Sequence, residues 1–403
     1  MNHSDRYPSY IKKEGGAVFM AANKKRSYLK YLRKKFNVVK KITDPRKWKF
    51  ISLRTVVESL LVLPLMGAHS LLEIDLMFRM PGVRKLFKGE SISDTHLSRL
   101  IPRLDTEEIR KVIHEVSTNG NERYRIGDKP LRIGSIDGTC MMKRYICCLQ
   151  QLTGEKERVI LDIEPYSIRG KELPATKRLL KRNQEAVGDG YFDLILGDPL
   201  YMSQHHFNQC LSYGADVLVK TKDDTLDIIK DAQGIFENRD EFGEEIEYVE
   251  GVDLDRNIEY KITACGGFEW NKVKVSLKVA CIEEENLKTG EKTVYYVVTT
   301  KDDLTPMEMR ELSYLRWSIE NHGFKLLNAL VNSKHGYIRD EKRSSNLILL
   351  LILGFNLFMQ FLEDVWGKLK KAFPKLTIKH CARTLMISEL PGQQCILTIP
   401  VFE

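Results

Sequence analysis

Three carboxylates stand where local pattern and chemistry meet: Asp137 in "SIDGT", Asp198 in "ILGDPLY" and Glu320 in "RWSIENHGF". Asp137 falls where the apolar run "LRIGSID" ends, and Gly138 after it permits close backbone approach. Asp198 ends "YFDLILGD", at the carboxyl end of a strand, where open α/β sheets place their ligands. Glu320 flanks a helical stripe of Leu312, Leu315, Ile319, Leu326 and Leu330 that would pack its helix on the sheet. Hard divalent cations take oxygen ligands. Two of them roughly 3.5 to 4 Å apart can activate a nucleophile and stabilise a leaving oxygen in phosphoryl transfer. One acid among 55 is most simply a turn or cap residue. The three together, in these elements, predict a metal site.

Arg316 lies one helical turn before Glu320 and shares its face. Trp317 reads as a core aromatic and His335, in "SKHGY", as a packing histidine. Tyr201, His205 and His206 follow Asp198 closely, and their types alone assign them no role.

The elements that must position these residues change period along the chain. Residues 51–127 read as a helical domain: "LRTVVESLLVLPLMGAHSLLEIDLMFRM" carries helix-period apolar positions, and Ser93 and Asp94 open another helix as N-cap residues. Residues 128–221 then alternate. Strands over Leu131–Asp137, Arg144–Leu152 and Glu157–Pro165 precede a helix in "KELPATKRLLKRNQEA", a buried strand over Tyr191–Asp198, a short helix near Gln204–Leu211 and a strand in "ADVLVKT". This order predicts an α/β layer fold with a mixed sheet, three antiparallel strands leading into parallel crossovers, as in RNase H-like proteins. Residues 222–302 break the alternation with an acidic patch and the strands "IEYKITAC", "VKVSLKVACI" and "TVYYVVTT"; we expect a β-rich insertion that returns a strand to the main sheet. Residues 303–403 complete the layer with helices.

Composition narrows the class. A chain of 403 residues, 43% of them hydrophobic, can build substantial cores. Eight cysteines without a C-x-x-C spacing fit neither a disulfide framework nor a zinc site, so a reducing cytoplasm is the expected setting. No signal-peptide pattern opens the chain, and the apolar run Asn346–Leu362, interrupted by Asn356 and Gln360, reads as a buried core helix rather than a membrane span. Residues 1–50 hold 15 Lys and Arg against 3 Asp and Glu, which leaves the remaining chain net negative. Within this basic arm "KKRSYLKYLRKKF", from Lys24, Lys25 and Arg26 onward, interleaves Tyr28, Tyr31, Leu32 and Phe36 with charge, as a segment laid on a phosphate backbone would. A solvated basic tail is the plain alternative.

The pieces "SIDGT", "LGDPLY" and "YLRWSIENHGFKLLNAL", with "HGYIRDEKRSSNLILLLILGFNLFMQF" after them, resemble the catalytic blocks of insertion-sequence transposases with a DDE catalytic core. The similarity covers about residues 50 to 375. It implies an RNase H-like catalytic domain in which Asp137, Asp198 and Glu320 bind Mg2+, with Mn2+ able to substitute. It also implies double-stranded DNA as partner, both element ends and target, a homodimer in the DNA complex, no membrane, and a bacterial or archaeal nucleoid as setting. By this resemblance Arg316 is the arginine of the Y-x2-R-x3-E-x6-K signature and meets DNA phosphate while Glu320 meets metal. The chain departs from the signature: Ser313 holds the tyrosine position with Tyr314 beside it, and Leu327 holds the lysine position. Lys325 is near and, on a regular helix, projects to the far side from Glu320. An RNase H-like nuclease without strand transfer and an inactive DNA-binding relic are the alternative readings.

Overall fold

The computed structural model describes residues 13–14, 17–20, 28–35, 37–118, 123–152, 158–167, 170–238, 245–317, 319–338, 341–372, 377–382 and 395–397. The chain divides into two compact units. One comprises Ser117–Cys140 with Arg144–Lys325, the other Met1–Val116 with Met141–Lys143 and Leu326–Glu403.

The first of these units is α/β. Its strands are β1 (Ile133–Met141), β2 (Arg144–Leu152) and β3 (Arg158–Tyr166), then α1 (Glu172–Val187), β4 (Leu194–Gly197), α2 (Gln204–Ser212), β5 (Asp216–Thr221) and α3 (Asp227–Glu237). There follow β6 (Ile246–Asp253), β7 (Ile258–Phe268), β8 (Leu277–Asn286), β9 (Lys292–Thr299) and α4 (Pro306–Arg316). These nine strands form one mixed sheet in the order β6-β7-β8-β9-β5-β4-β1-β2-β3, apart from the small hairpin Tyr124–Ile126 with Lys129–Leu131. The pairs β1/β4 and β4/β5 are parallel, whereas β9 returns antiparallel to β5 and so carries β6 to β9 onto the same sheet.

Both faces of this sheet are covered, which is why β4 is apolar throughout rather than alternating. Ile195, Val217 and Val219 pack with Leu179 of α1, Phe207 of α2 and Ile229 of α3. Leu194, Leu196 and Leu218 pack on the opposite face with Met309 and Leu312 of α4. Helix α4 begins with a capping box, Thr305 and Glu308 each accepting from the other's backbone, with Pro306 at its first turn.

The acidic stretch after residue 222 includes α3 and the edge strand β6, in which Glu247 and Glu250 are exposed while Asp253 is mostly covered and pairs with Arg256 and Arg310. One expectation needs correction: Asp137 does not end its strand. The parallel ladder to β4 stops at Ser135, but pairing with β2 keeps β1 extended to Met141.

The second unit is helical around Glu341–Ala372. The apolar stretch Ser344–Leu362 of that helix is 89% buried within the protein, as a core helix is. Its polar interruptions have partners: Asn346 donates to the carbonyls of Ile101 and Leu104, where a helical segment ends, and Gln360 donates to that of Val116. Ser93 caps the helix Asp94–Leu100 by accepting from the His96 amide.

Part of the basic arm is a helix with one face in the core. Helix Tyr28–Lys35 buries Tyr28, Leu29 and Leu32, and the Tyr28 hydroxyl donates to the Gly354 carbonyl. Its apolar and aromatic face belongs to the core instead of to a phosphate backbone, because burying those rings contributes more than exposing them. Lys24, Lys25, Arg26 and Phe36 lie outside the described residues.

Candidate active site

Strand register builds the site. Ile133, Gly134 and Ser135 pair with Leu194, Ile195 and Leu196, so continuing this offset carries Asp137 to the level of Asp198. Both aspartates belong to the rows that face α4. Parallel strands lie about 4.8 Å apart, so two carboxylates meet where β4 ends and its neighbour continues. Asp198 turns one oxygen back to accept from the Leu200 amide, capping the short helix Pro199–Tyr201. Asp137 accepts from the Gly138 amide.

The third acid arrives on an irregular helix. Helix α4 ends at Arg316, Trp317 caps it, and Ile319–Phe324 is a π-helix. Glu320 therefore lies in a π-helical turn, a feature concentrated at functional sites. This overturns the regular-helix argument for Lys325. In i→i+5 geometry the residue five positions on stacks over the first, so Lys325 follows on the side of Glu320 and not opposite it. Lys325 is exposed and donates to Asn321. Beneath the π-turn Gly323 meets the fully buried Gln150, whose two amide atoms have no partner; a Cβ at Gly323 would sit 2.7 Å from its Oε1.

Arg316 is buried, and its guanidinium reaches Asp137 at 3.9 Å and Glu320 at 3.5 Å, while its Nε has no partner. It is an internal counter-ion to two of the three acids, and one cation does not neutralise the cluster. Burial first, and then the nearby Asp198, push the Asp137 carboxyl up to about 7, against the pull of Arg316. Burial also raises Asp198, with Leu200 and Arg316 opposing.

A fourth acid approaches from the other face. Glu172, in the first turn of α1, accepts hydroxyl hydrogen bonds from Tyr201 at 2.6 Å and Tyr166 at 3.1 Å. A Cβ on Gly138 would lie 2.1 Å from its carboxylate, so any side chain there would have to displace Glu172 from its tyrosine partners. Nothing in "KELPATK" marks this glutamate, since its position depends on how α1 crosses the sheet.

Other residues singled out by sequence take varied places. Trp317 is 52% exposed and so is no core aromatic. The Tyr314 hydroxyl donates to Glu284, and Ser313, buried, bonds the Arg310 carbonyl. Tyr201 is buried against His206, which burial holds near pKa 4 as a neutral packing ring; His205 is exposed. In the other unit, His335 is exposed beside Tyr337 and Leu327 is buried.

An all-carboxylate donor set with unneutralised charge suits a hard divalent cation. Among the described residues, however, no three His, Cys, Asp or Glu side chains stand together as ligands for one ion. Arg316 lies between Asp137 and Glu320 instead. The chain matches no family model and no curated protein.

Proposed function

We propose that the chain is a DNA transposase with an RNase H-like catalytic domain, cleaving at element ends and joining the freed 3′-hydroxyl to target DNA. The observation that carries this reading is the register that brings Asp137 abreast of Asp198 on the face where Glu320 arrives. Asp137, Asp198 and Glu320 would hold Mg2+, or Mn2+ in its place, which supplies the positive charge that activates the nucleophile and stabilises the leaving oxygen. Arg316 keeps Asp137 and Glu320 in place without that charge. Glu172, fixed by two tyrosine hydroxyls, adds negative potential from the opposite face.

The test is a duplex made from the DNA flanking the gene, incubated with the protein and Mg2+ or Mn2+. Wild type is expected to cut at inverted repeats and join the ends to a second duplex. Asp137→Asn, Asp198→Asn and Glu320→Gln should bind without cutting. Cutting without joining would select the nuclease reading. The position of Arg316 between two of the acids favours a second reading, a DNA-binding relic, which predicts end binding and no cleavage with either ion.

A further inference from the structure

Lys220 of β5 is a second cation beside the site, unmarked by its local sequence. The β4/β5 register pairs Gly197 with Val219, so its continuation brings Lys220 level with Asp198, in the row that already holds Asp137. Like Leu218, Lys220 faces the α4 side, where its ammonium lies 3.4 Å from the centroid of the Tyr295 ring, 5.4 Å from that of Tyr314 and 5.8 Å from that of Trp317. Such faces attract a cation but accept no hydrogen bond of ordinary strength. An ammonium has three donors to satisfy. Among the described residues Lys220 has no hydrogen-bond or ion-pair partner.

Acids lie near, but among the described residues none is within ion-pair reach of the Lys220 ammonium. Arg316 is near enough to oppose the charge on Lys220, and both cations lie beside the half-exposed indole of Trp317, with Arg316 at 5.9 Å from its ring. Arg316 spends its guanidinium on Asp137 and Glu320, so Lys220 is the cation left uncommitted. Glu284 is the acid felt most strongly by Lys220, but its carboxylate is engaged by Arg310 and Tyr314. An ammonium desolvated, held by rings and aligned with two aspartates is arranged for an anion supplied from outside.

We propose that Lys220 binds a non-bridging phosphate oxygen of a DNA strand lying across the carboxylate row, the role left empty by Leu327. This assignment rests on the proposed function and deepens it by naming a substrate contact. Burial holds the free Lys220 ammonium down at about 8, and a phosphate beside it would restore the ordinary affinity for its proton.

The experiment measures equilibrium binding of a short fluorescent DNA duplex of mixed sequence over a series of salt concentrations, without divalent cation. Wild type is compared with Lys220→Met, which keeps the packing on Tyr295, and with Lys220→Arg. Thermal melts establish that each variant is folded. Lys220→Met should lower affinity several-fold and flatten the slope of log K against log salt by about 0.9, the loss of one phosphate contact. Lys220→Arg should keep the wild-type slope. A folded Lys220→Met with the wild-type slope and affinity overturns the assignment while leaving the transposase reading intact. A Lys220→Met that does not fold, with Lys220→Arg at the slope expected for one contact fewer, also overturns it in favour of a packing role. Absence of duplex binding by wild type sinks both.

Discussion

Two arginines on one helix, Arg310 and Arg316, each face a pair of carboxylates, and the two settings differ in how well the charges are met. Arg310 donates to Glu284 at 2.7 Å and to Asp253 at 3.2 Å, with the Tyr260 ring 4.4 Å away. Arg316 stands farther from its acids, 3.9 Å from Asp137 and 3.5 Å from Glu320, and each arginine leaves one guanidinium nitrogen unpaired, Nη2 of Arg310 and Nε of Arg316. The carboxylates register the difference. Burial raises Asp253, but its bonds to Arg256 and Arg310 prevail and hold it below the ordinary range. Asp137 is driven the other way. A closed pair in a desolvated place holds the fold, whereas an open cluster of like charge is kept at a cost and is ready for another cation.

The comparison breaks most sharply on stability. Arg310→Met should cost about 3 kcal/mol, because it leaves Glu284 with the Tyr314 hydroxyl alone and Asp253 with Arg256 alone. Arg316→Met should cost about 1 kcal/mol or less, since Asp137, already near pKa 7, can take up a proton. Denaturant midpoints at neutral pH decide the matter; equal losses would erase the distinction.

Acid titration of stability sharpens it. Asp137 moves from an ordinary 3.8 to about 7 in the folded state, so folding takes up a proton and stability from this group falls as pH rises across that window. Asp253 is lowered, so its contribution is present above its ordinary pKa and is lost as pH falls. In the presence of a chelator, Asp137→Asn should remove stability loss on the neutral side, on the order of 2 to 4 kcal/mol. Asp253→Asn should instead remove loss on the acid side. Slopes of the same sign would contradict the contrast.

Space around the open cluster is tighter than its charge balance. Gly138→Ala drives a methyl group into Glu172 and should cost about 1 to 3 kcal/mol through overpacking. Adding Glu172→Ala to that variant should recover part of the loss, and calorimetric melts of the pair test this coupling.

The smallest effect is expected at Lys325. It is exposed and bonded to Asn321, but the π-turn places it on the side of Glu320. Lys325→Ala should reduce cleavage of a pre-bound DNA end by only a few-fold, about 1 kcal/mol. A loss as large as that of Glu320→Gln would give Lys325 a central part.

The sequence by itself determined the order of elements and singled out three acids, Asp137, Asp198 and Glu320, as candidates. Strand and helix periods placed β1 to β5, α1 and α2 within a few residues, because burial on two faces leaves continuous apolar runs and helical stripes. It also made the apolar helix legible as core, through Asn356 and Gln360. Only the tertiary structure decided what those acids meet. The level of Asp137, Asp198 and Lys220 depends on register between strands far apart in the chain, which local pattern does not encode. Glu172 and Gln150 come from elements whose own sequences carry no mark of the site. The π-turn at Glu320 replaces the regular helix that its apolar spacing suggests, and it is set where Gly323 packs on the buried Gln150. Residue type and period follow from neighbours along the chain, whereas charge balance and reach follow from neighbours in space.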